Sequence, residues 1–500
     1  MASIIESLDQ IKAKSLSISP GDWEHTVFII HGNGARYPIS QYVTNINLFE
    51  DISSTSITGW LEVRDPTNLL QSGPLNGEEL LELKFETPGG SDLENFTIDF
   101  TKNPLYIHSV QNVTYTQDFN LVYRIHFCSP ELMHNNRIRV SQSYTGKNSD
   151  IVKTILEKII GTAKKLTIED TLTNRHWVVP NLRPFDFLNH LAISSQASPK
   201  LSPAWIPKTA AKSLEAEQVF KGSRSDFLFY EGVDGYNFSP ISTPDFDSGL
   251  EFTLSLQPTT TGSHKDRGGD GAGTTGYTNQ MLRATRHTLI DEGDKLAGTR
   301  NGTWAGTHIR HNGVTKSFKV YKSNYLNALK EKKYSQVSET PTFDPRHIIE
   351  TKNITEWEKG HTRFSSSSSM ADIGISKDNG HVFYPSQTTT PELSLQRQMQ
   401  IGHLLRGQKL HISLPGNSGL RVGMGAFADM PPVGLAAKQP GLKGSKLLGE
   451  DRLRNYWIIT KIAHVIKTTG TDSGYNCNIE LANTMSMTED VLKAYNDMWT

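Results

Sequence analysis

Between about Thr26 and Ser129, apolar side chains recur at every second residue, and this constrains the fold more than any other feature of the chain. Ile57, Leu61 and Val63 alternate with Thr58, Glu62 and Arg64; Leu81, Leu83 and Phe85 alternate with Glu82, Lys84 and Glu86. Phe96, Ile98 and Phe100 follow the same rule, as do Leu121, Tyr123, Ile125 and Phe127. One dry face and one wet face per strand specify an antiparallel sheet. Asp65-Pro66, Gly73-Pro74, Pro88-Gly89-Gly90 and Asn103-Pro104 punctuate the runs as turns. Five or six such strands predict a barrel or a sandwich.

The period of two returns near the end of the chain. Leu410, Ile412 and Leu414 alternate with Lys409, His411 and Ser413, and Tyr475, Cys477, Ile479 and Leu481 alternate with Asn476, Asn478 and Glu480. Residues 457–466 are apolar on both faces, as a strand covered on both sides would be.

Between these β regions the period changes to four. Ile151, Val152, Ile155, Leu156, Ile159 and Ile160 make one helical stripe, with Asn148 or Ser149 as the expected cap and Gly161 as the left-handed stop. Pro184 opens a second helix that buries Phe185, Leu188, Leu191 and Ala192, and Asp234-Gly235 predicts a hairpin turn. The expected fold is mainly β: two β-domains flank a mixed α/β domain. The expected parts are an arm at 1–20, a first β-domain at 21–130 and the α/β domain at 131–256. A polar loop follows at 257–276. The second β-domain takes 277–330 and 393–486, with an insertion at 331–392 and a tail at 487–500.

Five hundred residues exceed what one core can organise. Lys and Arg total 51 against 52 Asp and Glu, so the basic surplus expected of a nucleic-acid-gripping protein is missing. No run reaches the ~20 apolar residues of a membrane helix, and the first residues do not read as a secretion signal. Cys128 and Cys477 sit in expected strands, where buried reduced thiols are favoured over a bridge.

The candidate chemical motifs fail on context. Gly271-Ala-Gly273-Thr-Thr-Gly276 has the GxGxxG spacing, but a polar loop precedes it where a phosphate site needs a strand. His308-Ile-Arg-His311 would place its imidazoles on opposite faces of a strand. Gly416-Asn-Ser418-Gly419 is not a nucleophile elbow and reads as a loop between strands. The Asn-x-Ser/Thr triplets at Asn95, Asn112, Asn301 and Asn353 matter only after secretion. The expectation is therefore no catalytic residue, no metal, no cofactor and no enzymatic activity. The rival readings are a polysaccharide-degrading enzyme and a single-stranded nucleic-acid binder, the latter requiring a basic stripe.

The order of the elements resembles the baseplate hub proteins of contractile-tailed bacteriophages, and is similar to the hub portion of type VI secretion spike proteins. The resemblance is carried by the strand at 56–65 ending in Asp65, by Gly77-Glu78-Glu79 opening a strand, by Ser129-Pro130-Glu131, and by Tyr144-x-Gly146 before the helix. Downstream it is carried by RPFDFLNHLAISSQA, SDFLFYEGVDGYNFSPIS, LRGQKLHISLPGNSGLRVGMGAF and YNCNIELAN. It implies two tail-tube-like antiparallel β-barrels per subunit and a homotrimer whose six barrels make a pseudo-sixfold ring. Such a ring would join a tail tube protein to a threefold spike or needle protein, contact other baseplate proteins, and admit DNA through its lumen. It also implies a virion component assembled in the host cytoplasm. Strands at 56–65, 80–87, 408–414 and 420–427 are the expected trimer contacts.

Overall fold

In the computed structural model, the residues described are 21–73, 75–87, 97–116, 120–171, 174–197, 225–241, 251–254, 282–292, 296, 300, 305–312, 316–324, 361–367, 376–378, 381–383, 397, 401–402, 407–429, 455–470 and 473–483. The expected arm at 1–20, the polar loop with its GxGxxG, the tail at 487–500 and most of the insertion lie outside them.

Alternation in the first region becomes β1 (Glu24–Ile30), β2 (Arg36–Pro38), β3 (Val43–Asp51), β4 (Thr58–Asp65), β5 (Leu80–Glu86), β6 (Thr97–Asp99), β7 (Leu105–Tyr115) and β8 (Leu121–Cys128), with a one-turn helix α1 (Leu69–Ser72). The inward positions named from sequence are buried: Leu61, Leu81, Leu83, Phe85, Ile98, Tyr123, Ile125 and Phe127 are all fully enclosed. Next come α2 (Pro130–Arg137), β9 (Ser143–Lys147), α3 (Asn148–Thr154, continued as a π-helix over Ile155–Ile160), β10 (Leu166–Ile168), β11 (Asn174–Val178), α4 (Pro184–Ser194), β12 (Phe227–Gly232) and β13 (Gly235–Pro240). A separate apolar cluster built on Ile155, Leu156, Phe185, Leu188, Phe229 and Phe238 lies under these elements. The last set is β14 (Glu251–Leu254), β15 (Arg283–Ala284), β16 (Arg286–Glu292), β17 (Ala305–Asn312), β18 (Ser317–Asn324), β19 (His361–Ser367), β20 (Ser376–Asp378), β21 (His381–Phe383), β22 (Gln408–Pro415), β23 (Gly425–Asp429), β24 (Asn455–Lys467) and β25 (Gly474–Asn483).

The helix at 148–160 departs from its expected form in two ways. Gly161 does stop it in the left-handed region (φ 73°), but the last turns widen into a π-helix. A strict apolar repeat of four drifts around an α-helix, and wider winding keeps Ile155, Leu156 and Ile160 against one core. Asn148 does not cap: its buried amide donates to the hydroxyls of Ser194 and Ser195 (both 3.0 Å) and accepts from the Trp177 indole at 2.9 Å. The hairpin forms as expected, and Gly235 (φ 130°) is required there because a Cβ would stand 2.1 Å from the Lys165 carbonyl oxygen.

The two β regions are continuous through one sheet. They share a 15-stranded sheet, because β3 pairs antiparallel with β24 from Lys461↔Asp51 to Lys467↔Asn45. The two β regions are thus joined edge to edge, where a pair of open strand edges satisfy each other. Three further expectations change. β14, placed with the α/β region from sequence, pairs with β23. β17 and β18 leave the large sheet and pair with each other and with β19, so the serines at 365–367 are strand residues of a separate three-stranded sheet. The strands expected at trimer contacts are flanked on both sides within the chain: β4 by β3 and β8, β5 by β1 and β7, β22 by β16 and β25, β23 by β14 and β24.

The two halves of the sheet have one strand order. Counting β2 with β3 as a single strand interrupted at residues 39–42, and leaving uncounted the three-residue β6, which pairs only with β5, the first half runs 2-3-6-5-4-1 in chain order, as β3-β4-β8-β7-β5-β1, and β2 returns to β1 through Phe28↔Pro38. Counting β15 with β16 as one strand interrupted at Thr285, the second half is again 2-3-6-5-4-1, as β16-β22-β25-β24-β23-β14, and β15 returns to β14 through Thr253↔Arg283. The halves differ in the direction of their first strand: β1 is antiparallel to its neighbours and β14 parallel.

Candidate functional site at the joint of the two halves

The joint between β3 and β24 places ionisable residues where alternation demands apolar ones. Ile46, Leu48 and Glu50 point inward from β3, and Ile462, His464 and Ile466 from β24; all six are buried. Glu50 and His464 have fully buried side chains, with His464 Nε2 3.2 Å from Glu50 Oε1. The other imidazole nitrogen, Nδ1, lies 2.7 Å from the Tyr475 hydroxyl and 3.5 Å from Cys477 Sγ. Burial lowers the His464 pKa, but Cys477 and Glu50 outweigh it and raise the value to about 9. Protonated, both ring nitrogens donate, one to the carboxylate and one to the phenol. The second carboxylate oxygen of Glu50 accepts from the Val233 backbone N–H at 3.1 Å, in the β12–β13 turn. One side chain therefore ties both halves of the sheet to the middle elements.

A second buried cluster binds those elements to the first half. Lys164 Nζ stands 2.7 Å from Glu131 and 2.6 Å from Glu231, with all three side chains at most 7% exposed. Glu231 also accepts from the Ile57 backbone N–H (2.9 Å) and the Ser129 hydroxyl (2.8 Å). Burial lowers the Lys164 pKa, and the two carboxylates more than reverse it, holding the ammonium charged; burial raises that of Glu231. A third tie runs from Thr87 to Ser418, whose hydroxyls are 3.0 Å apart. Gly416-Asn-Ser418-Gly419 is thus a packing loop, with the Asn417 N–H donating to Cys477 Sγ at 3.3 Å.

Cys477, His464 and Glu50 have the residue types and order of a nucleophile, base and orienting acid. All three are sealed from solvent, so no substrate atom can reach the thiol. Among the described residues no group of three His, Cys, Asp or Glu is placed to hold a metal ion, and no helix is long and apolar enough to cross a membrane. The backbone is a strand through His308 and His311, and both cysteines are free and buried. The joint's signature in the sequence is an ionisable residue at an inward position of an apolar alternation, as at Glu50 and His464. Lys164 gives no such signal.

No protein-family model matches the sequence, and no curated protein matches it. Among solved structures, the chain is similar to the 43 kDa tail protein of a Shewanella oneidensis prophage, with 9% identity and a TM-score of 0.48 over 93% of this chain and 100% of that one. It is similar to a chain of the Francisella PdpA–VgrG complex, with 10% identity and a TM-score of 0.41, covering 94% of this chain and 60% of that one. It is also similar to an Escherichia coli component of the type VI secretion system described as resembling bacteriophage T4 tail proteins, with 9% identity and a TM-score of 0.37, covering 88% and 73%.

Proposed function

We propose that this chain is a structural hub of a contractile tail, each subunit contributing two tube-like barrel units to a ring of three subunits. The middle elements form the intervening α/β domain. The observation that carries the reading is the repeated 2-3-6-5-4-1 order together with the β3–β24 joint. One chain bearing two copies of a unit can present six units with only three subunits, so it can match a sixfold tube on one side and a threefold spike on the other. Burying Glu50, His464, Lys164 and Glu231 in the ties suits a part that holds domains in fixed relation, because a buried charge tolerates little displacement from its partner. The partners of this reading are a tail tube protein, a spike protein and neighbouring baseplate proteins in the virion, with DNA passing through the lumen. A formal charge of −1 suits passage, since a basic wall would retain phosphates.

Light scattering combined with negative-stain imaging tests the reading. The expected result is a mass of three chains and ring-shaped particles, alone or with tube and spike proteins added. A mass of one chain without rings under all of these conditions overturns it.

A further inference from the structure

The two halves match in the place of a bulge as well as in strand order. Ile107 N–H donates to the Glu79 carbonyl at 2.9 Å, and Ile459 N–H donates to the Met424 carbonyl at 2.9 Å. Immediately after each isoleucine the ladder with the sixth strand slips by one residue: between Ile107 and Ser109 on β7, and between Ile459 and Lys461 on β24. At this bulge both strands part from their fourth-strand neighbour, β7 from β5 and β24 from β23. Beyond it, β24 pairs with β3 of the other half. Beyond it, β7 has β8 on one side and, among the described strands, none on the other.

The side chains reflect that difference. Residues 111–115 are all exposed, whereas 463–467 keep a buried alternation through His464 and Ile466. Val113 is 48% exposed and Tyr115 76%. The strand that corresponds to β3 is β16, which pairs with β22 and with no other described strand, and its Ile290 is 54% exposed. Within one chain these two edges lie at opposite ends of the two-unit array, so they can meet only between copies.

Building on the ring reading above, we propose that β7 of one copy pairs antiparallel with β16 of the next and repeats the β3–β24 joint between subunits. The register follows from the internal joint. Val465 faces Asn47 there. Val465 lies opposite Asn476 as Thr114 lies opposite Val122, and Asn47 lies opposite Trp60 as Thr288 lies opposite His411. Thr114 therefore faces Thr288 of the next copy, and Tyr115 faces His287. A second feature supports this alignment. β7 carries an extra residue between Gln111 and Thr114, and β16 carries one between Leu289 and Asp291. In the derived register the two bulges fall opposite each other, so the ladder resumes in step beyond them. Val113, Tyr115 and Ile290 become buried, and two open edges that invite aggregation are closed. In a ring of three, three internal and three external joints alternate.

The test is a disulfide across the joint in the full chain. A Thr114→Cys/Thr288→Cys variant has exposed positions on separate strands, and its facing pair meets the Cα spacing of about 4.4–6.8 Å that a disulfide needs. Mild oxidation is expected to yield reducible species of two and three chains. The shifted pair Thr114→Cys/Arg286→Cys exceeds about 7 Å in this register and stays unlinked. Ring particles whose chains link in the shifted pair, or in neither pair, overturn the joint and leave the ring reading standing. A mass of one chain, with no cross-link and no ring in the presence of tube and spike proteins, overturns both.

Discussion

The second halves of β7 and β24 are equivalent segments in different surroundings. Both follow a bulge, both pair along a sixth strand, and both turn away from a fourth. One is covered by β3 and seals an ion pair; the other ends in a run of exposed residues that includes Tyr115. Position in the repeated topology therefore does not determine burial, and a covering strand does. The inward pattern Ile462, His464 and Ile466 has meaning only because β3 presents Leu48 and Glu50 to it.

The largest effect expected from breaking this comparison is at Glu50. Glu50→Ala leaves a buried imidazolium without its carboxylate and should cost about 3–5 kcal/mol, read as a lowered unfolding midpoint in urea. Unchanged stability would mean the joint is not held by this pair. Next is pH. The His464 pKa is raised in the folded state, so its stabilising share is complete below its ordinary value of 6.5 and is lost as pH rises through about 9. Thermal unfolding between pH 6 and pH 10 should show a decline over that window worth a few kcal/mol, at about 1.4 kcal/mol per pH unit. A His464→Gln variant should flatten it.

A smaller loss, about 1–3 kcal/mol, is expected for Ser418→Ala, which removes the buried acceptor of the Thr87 N–H (3.1 Å). Calorimetry checks that value. The smallest effect on the folded monomer is expected on β7. Tyr115→Ser should shift its stability by less than about 0.5 kcal/mol, as other exposed substitutions do, while reducing the mass seen by light scattering. That split between assembly and folding separates the uncovered strand from its covered counterpart. A large loss of monomer stability at Tyr115 would show that the edge is already packed within the chain.

Alternation alone assigned the inward faces of β4, β5, β8, β22 and β25, because side-chain direction in a strand repeats every two residues whatever lies beside it. The Gly161 stop, the Pro184 helix start and the Asp234-Gly235 turn were equally local and equally readable. The choice of neighbour was not. Equivalent positions hold unlike side chains, Leu105 against Trp457 and Tyr123 against Cys477, so the repeat is invisible as sequence and evident only as pairing. The widened helix end and the use of Asn148 as a buried tie also depended on partners distant in the chain. Local stereochemistry determined which face of each strand is dry. Only the folded chain decided which edges meet, because every residue but proline offers an edge the same backbone donor and acceptor, and the strand that arrives there settles the pairing.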